Sequence, residues 1–527
     1  MEDLKCLGRS TMISTENEQL FHLPSRSGDI FTMLIRTACC LFAVVLFACL
    51  AFSQIAVPRF EPGPCAIPVP DSEKHVECGY LVVPENRAAK SGKTIRLPVA
   101  ILKSDNPNLK PDPVLRTLGG PGASSLKLIR GRRSSPWLKD RDYIIFEQRG
   151  TKYAEPALEC PEVDASNIDA AKRRLDAGTS KRNVIKAAAA CFARLKAAGI
   201  DLNGYNSAEN AADIEDLRRA LKIDKINLYG VSYSSRLMLD VLRYFPDGIR
   251  SVAIESVLAP EVNYDEVGVD AMVRSLNELF AGCRAQTDCA AAFPDLEREF
   301  YAVVARLNAK PAVVPTKHSA SAAMIDIELN GNDFATWIVD YLFSNEPAAT
   351  IEAPLAIHRA FTGDLVKQFK GYSADKLNGS FYSWGMRYSV WCSEERPFES
   401  SSAILRQSSK YPGLKGYEVM ALPDICSVWK VKRAAPIANR PVTSNVPTLV
   451  LAAQYDAYIP PAWGRDVAQR LNHSFFIEVP WAGHGPGFSV PCVSQMIADF
   501  FDDPSRRPAD ECIGETRKQF KFVTKVP

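Results

Sequence analysis

Apolar and polar residues alternate along this chain with two different periods, and their succession outlines an architecture. Glu77–Asn86 (ECGYLVVPEN) and Thr94–Ser104 (TIRLPVAILKS) alternate with a period of two and read as an edge hairpin. Asp112–Gly122 (DPVLRTLGGPG) reads as a strand running into a glycine loop, and Asp142–Gly150 (DYIIFEQRG) as a buried strand. At Ala208–Ile223 the period changes: Ala212, Leu217 and Leu221 fall on one helical face, with Ser207 as the expected N-cap. The apolar run Ile226–Tyr229 is too short for a helix and stops at Gly230, whereas Arg236–Tyr244 has amphipathic helical spacing. Arg250–Pro260 (RSVAIESVLAP) is a further buried strand. Strands alternating with helices place the chain in the α/β class, with a mostly parallel central sheet.

The rhythm then breaks. From Glu261 to Arg433 helical segments such as Val267–Cys283 and Leu296–Lys310 dominate, with aromatic-rich loops and few strand signals. It resumes at Val446–Asp456 (VPTLVLAAQYD) and His473–Gly485 (HSFFIEVPWAGHG). A helical block between two parts of one parallel sheet reads as an inserted cap. The expected organisation is a leader at 1–53, a first core part at 54–260, a helical cap at 261–433 and a second core part at 434–527. An independent middle domain is the competing reading; the flanking halves each look incomplete without the other.

Composition narrows the class. Lys and Arg number 63 against 61 Asp and Glu, so no bulk field draws the chain to nucleic acid or anionic lipid. Near the N-terminus, Arg36 precedes an uninterrupted apolar run, Ala38–Phe52, followed by Ser53. The run has the length of a signal-peptide core, and Ala51 and Ser53 suit a small-x-small cleavage site, so export to the periplasm or medium is expected. No stable membrane insertion is expected after cleavage. An uncleaved anchor stays open, because Ile55–Val57 extend the run.

Cysteine usage agrees with export. Of 14 cysteines, Cys6, Cys39, Cys40 and Cys49 lie in the leader, and the others form sequence-local pairs. These are Cys65/Cys78, Cys160/Cys191, Cys283/Cys289, Cys392/Cys426 and Cys492/Cys512. An even number in an exported chain reads as disulfides, and nearest-neighbour pairing is the expectation. Free thiols and zinc compete, although no C-x-x-C or H-x-x-x-H cluster favours metal, and neither metal nor cofactor is expected.

The candidate chemistry centres on Gly230-Val231-Ser232-Tyr233-Ser234. A serine on a tight strand-to-helix turn exposes its hydroxyl and aims the next backbone N–H at a reacting carbonyl. Small residues two before and two after let such a turn close; Gly230 satisfies this, and Ser234 stands where glycine is usual. Leu118–Ser125 (LGGPGASS) supplies glycines whose N–H groups can point into a cavity. Asp456 falls just past one strand, and His484 in a glycine-rich loop past the next. The order serine, aspartate, histidine is that of α/β-hydrolases.

On these segments, together with FEQRGTKYAEPALECPE, YNSAENAADIEDLRRAL, GIRSVAIES and CVSQMIADFFDDPSRRPADEC, the chain resembles the prolyl-aminopeptidase-like α/β-hydrolase serine peptidases. The resemblance is to their exported branch with a tripeptidyl-aminopeptidase-type C-terminal segment, and it runs from Cys65 to Cys512. It implies an α/β-hydrolase core with a helical cap and release of residues or short peptides from a free N-terminus. By motif, Ser232 corresponds to the nucleophile, Asp456 to the orienting acid and His484 to the base; Tyr233, Gly120 and Gly122 correspond to the oxyanion hole. Glu255-Ser256 departs from the Asp-Gly frequent in that branch. An exopeptidase must also bind an ammonium, for which Glu394 and Glu395 in WCSEERPF are candidates; Glu147 and Arg149 read as a buried pair behind the site. The competing function is an esterase or other acyl hydrolase, since one triad serves amides and esters.

Overall fold

The computed structural model describes residues 57–525 apart from 74, 132–134, 319–322, 345, 364 and 415–424. The leader expected at 1–53 lies outside the described residues. Strands β1 (Arg59–Pro62), β2 (Val76–Pro84), β3 (Thr94–Leu102), β4 (Val114–Arg116), β5 (Tyr143–Phe146), β6 (Ile226–Ser232) and β7 (Ile249–Val257) precede a small hairpin, β8 (Ala312–Lys317) and β9 (Met324–Leu329). β10 (Thr448–Ala453) and β11 (Ser474–Val479) follow. Among the described residues the main sheet runs β1-β2-β3-β5-β4-β6-β7-β10-β11. β1 to β3 pair antiparallel, as does β3 with β5; every pairing from β5 to β11 is parallel. The fold is thus that of an α/β-hydrolase, with a large, mostly parallel sheet and flanking helices.

The period-two pattern does its expected work. On β5, Ile144 and Phe146 join one apolar cluster while Tyr143 and Ile145 join the other; on β10, Val450 faces opposite to Leu449 and Leu451. The first cluster is closed by the helices Ser207–Ala220, Tyr233–Tyr244 and Pro461–Arg470, and the second by Pro491–Asp502. Two details differ from the sequence reading. β1 lies outside the β2–β3 hairpin, a short edge strand in the proline-rich entry, where proline is tolerated because no outer ladder needs its N–H. The helix at 207–220 is capped one residue earlier than expected: the Asn206 side chain accepts from Glu209 N, which leaves Ser207 for another role.

Between β7 and β10, adjacent in the sheet, the chain leaves for the helical block. Its own apolar cluster joins the helices Tyr264–Ala285, Leu296–Ala309, Gly331–Phe343 and Pro347–Thr362 around Phe300, Phe334 and Phe369. The β8–β9 hairpin within it carries a proline in a six-residue strand, a weak signal in sequence. Core and block pack as one compact unit from Val57 onward. All five nearest-neighbour cysteine pairs form disulfides. No helix of the described residues is long and apolar enough to cross a membrane.

Buried charges are held by dense networks. Arg149, fully buried, donates through Nε and Nη2 to the two oxygens of Asp213 at 2.7 Å each and through Nη1 to the Glu85 carbonyl at 2.7 Å. Glu147 does not pair with Arg149, which corrects the expectation of a buried pair between them. Glu147 accepts from Ser124 Oγ at 3.0 Å, Leu126 N at 3.2 Å and Tyr153 N at 3.3 Å, and burial pushes its carboxyl above the ordinary range. Within the block, Glu399 accepts from the Asp265 backbone N–H at 2.9 Å with the two carboxyls side by side. Burial first, and repulsion from Asp265 second, push Glu399 up to about 8.

Two outcomes follow from these networks. Arg149→Met leaves Asp213 with only the partly buried Arg87 among the described partners, and urea unfolding should show a loss of about 3 kcal/mol. A carboxyl raised in the folded state gives stability that is complete below its unfolded value, near ~4.3, and is lost as pH rises through about 8. Thermal melts of Glu399→Gln should therefore fall less between pH 5 and pH 9 than those of the parent; parallel profiles would contradict this.

Candidate active site

β6 is buried along its length and turns into the helix Tyr233–Tyr244 at Ser232, whose φ of 64° and ψ of −132° lie outside the regions a side chain prefers. The turn closes because position 230 is glycine: a Cβ there would lie 2.6 Å from the Ser234 carbonyl oxygen and 2.7 Å from Met238 Cγ. Ser234, in the place where glycine was expected, fits without distortion. Fully buried, its Oγ sits 2.6 Å from Thr117 Oγ1 and ties the elbow helix to the end of β4. Ser235 Oγ donates to the Ser232 carbonyl at 2.5 Å and accepts from Leu258 N at 3.1 Å, which fastens the elbow to β7.

The glycine loop after β4 lies directly against this elbow. A Cβ on Gly119 would meet the Val231 carbonyl at 2.8 Å, Ser232 Cβ at 3.0 Å and Tyr233 N at 3.1 Å. Gly120 and Gly122 have φ of 122° and 99°, open to glycine alone. The carbonyl of Gly119 accepts from Ala123 N at 3.3 Å, and Arg387 Nη1 donates to the carbonyls of Gly120 at 2.7 Å and Pro121 at 3.3 Å. In a trans peptide the carbonyl and the following N–H point opposite ways, so fixing the Gly119 and Pro121 carbonyls turns the N–H groups of Gly120 and Gly122 the other way. Neither N–H has an acceptor among the described hydrogen bonds.

Asp456, fully buried, accepts from Tyr458 N at 3.1 Å and Ile459 N at 3.0 Å on Oδ1 and from His484 Nδ1 at 2.7 Å on Oδ2. Burial alone would raise this carboxyl. The charge and hydrogen bond of His484, the Ser256 hydroxyl and the Ile459 N–H outweigh it and hold Asp456 below the ordinary range. The imidazole stacks on Phe343 at 4.2 Å between ring centroids, and His484 N donates to the Phe343 carbonyl at 3.2 Å. The histidine loop also packs on the residue before the serine: a Cβ on Gly485 would lie 2.8 Å from Val231 Cγ1. The structure thus joins Asp456 to His484 and sets both loops against the Val231–Ser232 elbow. No hydrogen bond from Ser232 Oγ to His484 is present among the described residues.

Glu394 and Glu395 go elsewhere than the sequence reading had them. Both are 2% exposed. Glu394 accepts from Ser207 N at 2.5 Å and Ser207 Oγ at 2.6 Å, and Ser207 Oγ meets the Tyr233 hydroxyl at 2.7 Å. Glu395 forms an ion pair with Arg236 of the elbow helix. These carboxylates therefore brace the elbow from behind, and Arg236 already meets their charge. Cys160, Glu162 and Cys191 cluster as a metal site would, but the two sulfurs are joined and Glu162 pairs with Arg194 at 2.6 Å.

Three residues of the helical block reach the site without a local sequence signal. Phe343 packs on the imidazole, Arg387 holds the glycine loop, and Arg274 donates to the backbone carbonyls of Gln454 at 2.8 Å and Asp456 at 2.5 Å. Each lies far in sequence from what it touches, and an arginine or phenylalanine in a helix reads first as surface or core.

Residues 119–318 match the α/β hydrolase fold family, and residues 414–512 match the TAP-like protein family. The tripeptidyl aminopeptidase of Streptomyces lividans is 25% identical over 451 residues, covering 80% of this chain and 81% of that protein. That of Streptomyces coelicolor is 25% identical as well, over 80% of each. Among solved structures, an esterase from Thermogutta terrifontis is 15% identical, covers 81% of this chain and 99% of its own, and has a TM-score of 0.34. A serine hydrolase from Cycloclasticus zankles is 10% identical, with 81% and 98% covered and a TM-score of 0.37; nothing further rests on either. Strand order, glycine loop and both matched segments agree that the chain has the α/β-hydrolase fold and is similar to the tripeptidyl aminopeptidases.

Proposed function

We propose that this chain is an exported serine hydrolase that releases short peptides from a free N-terminus through an acyl-enzyme on Ser232. The observation that carries the reading is the 2.7 Å bond from His484 Nδ1 to a buried Asp456, beside a serine held at φ 64° under a glycine loop. In this mechanism His484 Nε2 takes the Ser232 proton as Oγ attacks the acyl carbon, and Asp456 fixes the imidazole tautomer and stabilises its charged form. The N–H of Tyr233 and those of Gly120 and Gly122 receive the oxyanion. The leaving amine takes the proton from His484; water, deprotonated by the same imidazole, then releases the acyl group. Residues 261–433 act as the cap over this centre. The relatives named tripeptidyl aminopeptidase support the peptide class, and the disulfides support export.

A second reading, an esterase or other acyl hydrolase, draws on one observation: both oxygens of Glu394 are taken by Ser207 and Glu395 is paired with Arg236, so their charge is already met within the protein.

Fluorophosphonate should label the protein at Ser232, and Ser232→Ala should abolish labelling and lower kcat by about six orders of magnitude. Persisting label in that variant excludes the nucleophile. Tripeptidyl anilides with free N-termini should be cleaved at least about 100-fold faster than their N-acetylated forms, a difference of roughly 2.7 kcal/mol in transition-state binding. Equal rates, with fast turnover of p-nitrophenyl esters, would favour the second reading. Gly120→Ala places a Cβ 3.0 Å from Gly122 N at a φ suited to glycine, and kcat should fall about 100-fold with intact folding by circular dichroism.

A further inference from the structure

The Glu255-Ser256 departure noted in the sequence occupies an unusual position. β6 and β7 pair in register from Asn227 opposite Ser251 to Val231 opposite Glu255, and the next pair is Ser232 opposite Val257. Ser256 is therefore the extra residue of a bulge beside Ser232, and bulges next to functional sites re-aim a side chain. Its φ is 46°, a left-handed conformation that glycine takes freely and a side chain does not. It is 1% exposed, so its hydroxyl does not serve solvent. Instead Oγ accepts the Gly485 N–H at 3.1 Å, and the same hydroxyl is among the groups that hold Asp456 ionised. Glu255 acts on the next turn of that loop, accepting from Gly487 N at 2.7 Å through one oxygen and from the Tyr229 hydroxyl through the other.

We propose that Ser256 is a positioning residue for the Asp456–His484 pair: its Oγ accepts the N–H of Gly485 while its O–H donates a hydrogen bond to the Asp456 carboxylate, so one hydroxyl sets the acid and the histidine loop together. The inference rests on the triad proposed above. A hydroxyl is both donor and acceptor, so accepting the Gly485 N–H leaves the Ser256 O–H free to donate to Asp456. Glycine at 256 would relieve the backbone but leave the Gly485 N–H and one lone pair of Asp456 without this partner. Backbone strain kept at such a place points to a use for the side chain. Ser256 acts through Asp456 and His484, with no contact to the substrate required.

The test uses the full-length protein with Ser256→Gly and Ser256→Ala. Both lose the hydroxyl, but only alanine keeps the strained backbone. For Ser256→Gly the melting temperature should stay within about 3 °C of the parent. The second-order rate of Ser232 phosphonylation by fluorophosphonate and kcat on a tripeptidyl anilide should each fall about 10-fold, with KM unchanged. Ser256→Ala should show the same fall in both rates, with a lower melting temperature. Parent-like phosphonylation in Ser256→Gly would overturn the role, as would a rate loss that appears only where the melting temperature drops. If the parent itself is not labelled, or Ser232→Ala is labelled equally, the triad is wrong, and that result is distinct from either outcome at 256.

Discussion

A serine held at φ 64° where a buried strand becomes a helix is the constraint on which the rest of the site depends. The conformation is costly for a residue with a Cβ and persists only because its surroundings over-determine it. Gly230 lets the helix fold back onto the strand, Ser235 bonds the serine's own carbonyl, and Thr117 and Ser234 tie the helix to β4. The glycine loop can then lie so close that a Cβ on Gly119 would sit 3.1 Å from Tyr233 N. Without that close approach the loop's free N–H groups and the elbow would be separate features of the fold.

The helical block contributes side chains to the site as well as packing its own apolar cluster. Arg387 fixes two carbonyls of the glycine loop and stacks between Tyr382 and Trp391, while Phe343 presses on the imidazole. Arg274 holds the backbone on both sides of Tyr455, and Glu394 reaches Tyr233 through Ser207. Core and block therefore form one unit, and the geometry around Asp456 and His484 depends on both.

The same arrangement explains the density of buried charge. Arg149, Arg236, Glu147, Glu255 and Asp456 are nearly or fully excluded from water. Removing such groups from solvent is expensive, and each is offset by hydrogen bonds or an ion pair with groups on other segments, so the charges fix where those segments meet more than they add stability. Glu255 is the clearest instance, since its two oxygens join β6 to the histidine loop.

Strand rhythm, the strand–serine–helix turn, the glycine loop and the pairing of cysteines were readable in the sequence, because each is a local pattern with a local physical cause: a period of two, a missing Cβ, a short loop to close. The contact of Asp456 with His484 followed from their places after consecutive parallel strands, which the fold brings side by side. The partners of Glu394 and Glu395, the separation of Glu147 from Arg149, and the reach of Phe343, Arg274 and Arg387 were not readable. A charged side chain in sequence shows its charge but not the residue that will meet it, and for groups buried between core and helical block that choice is made only when distant segments pack.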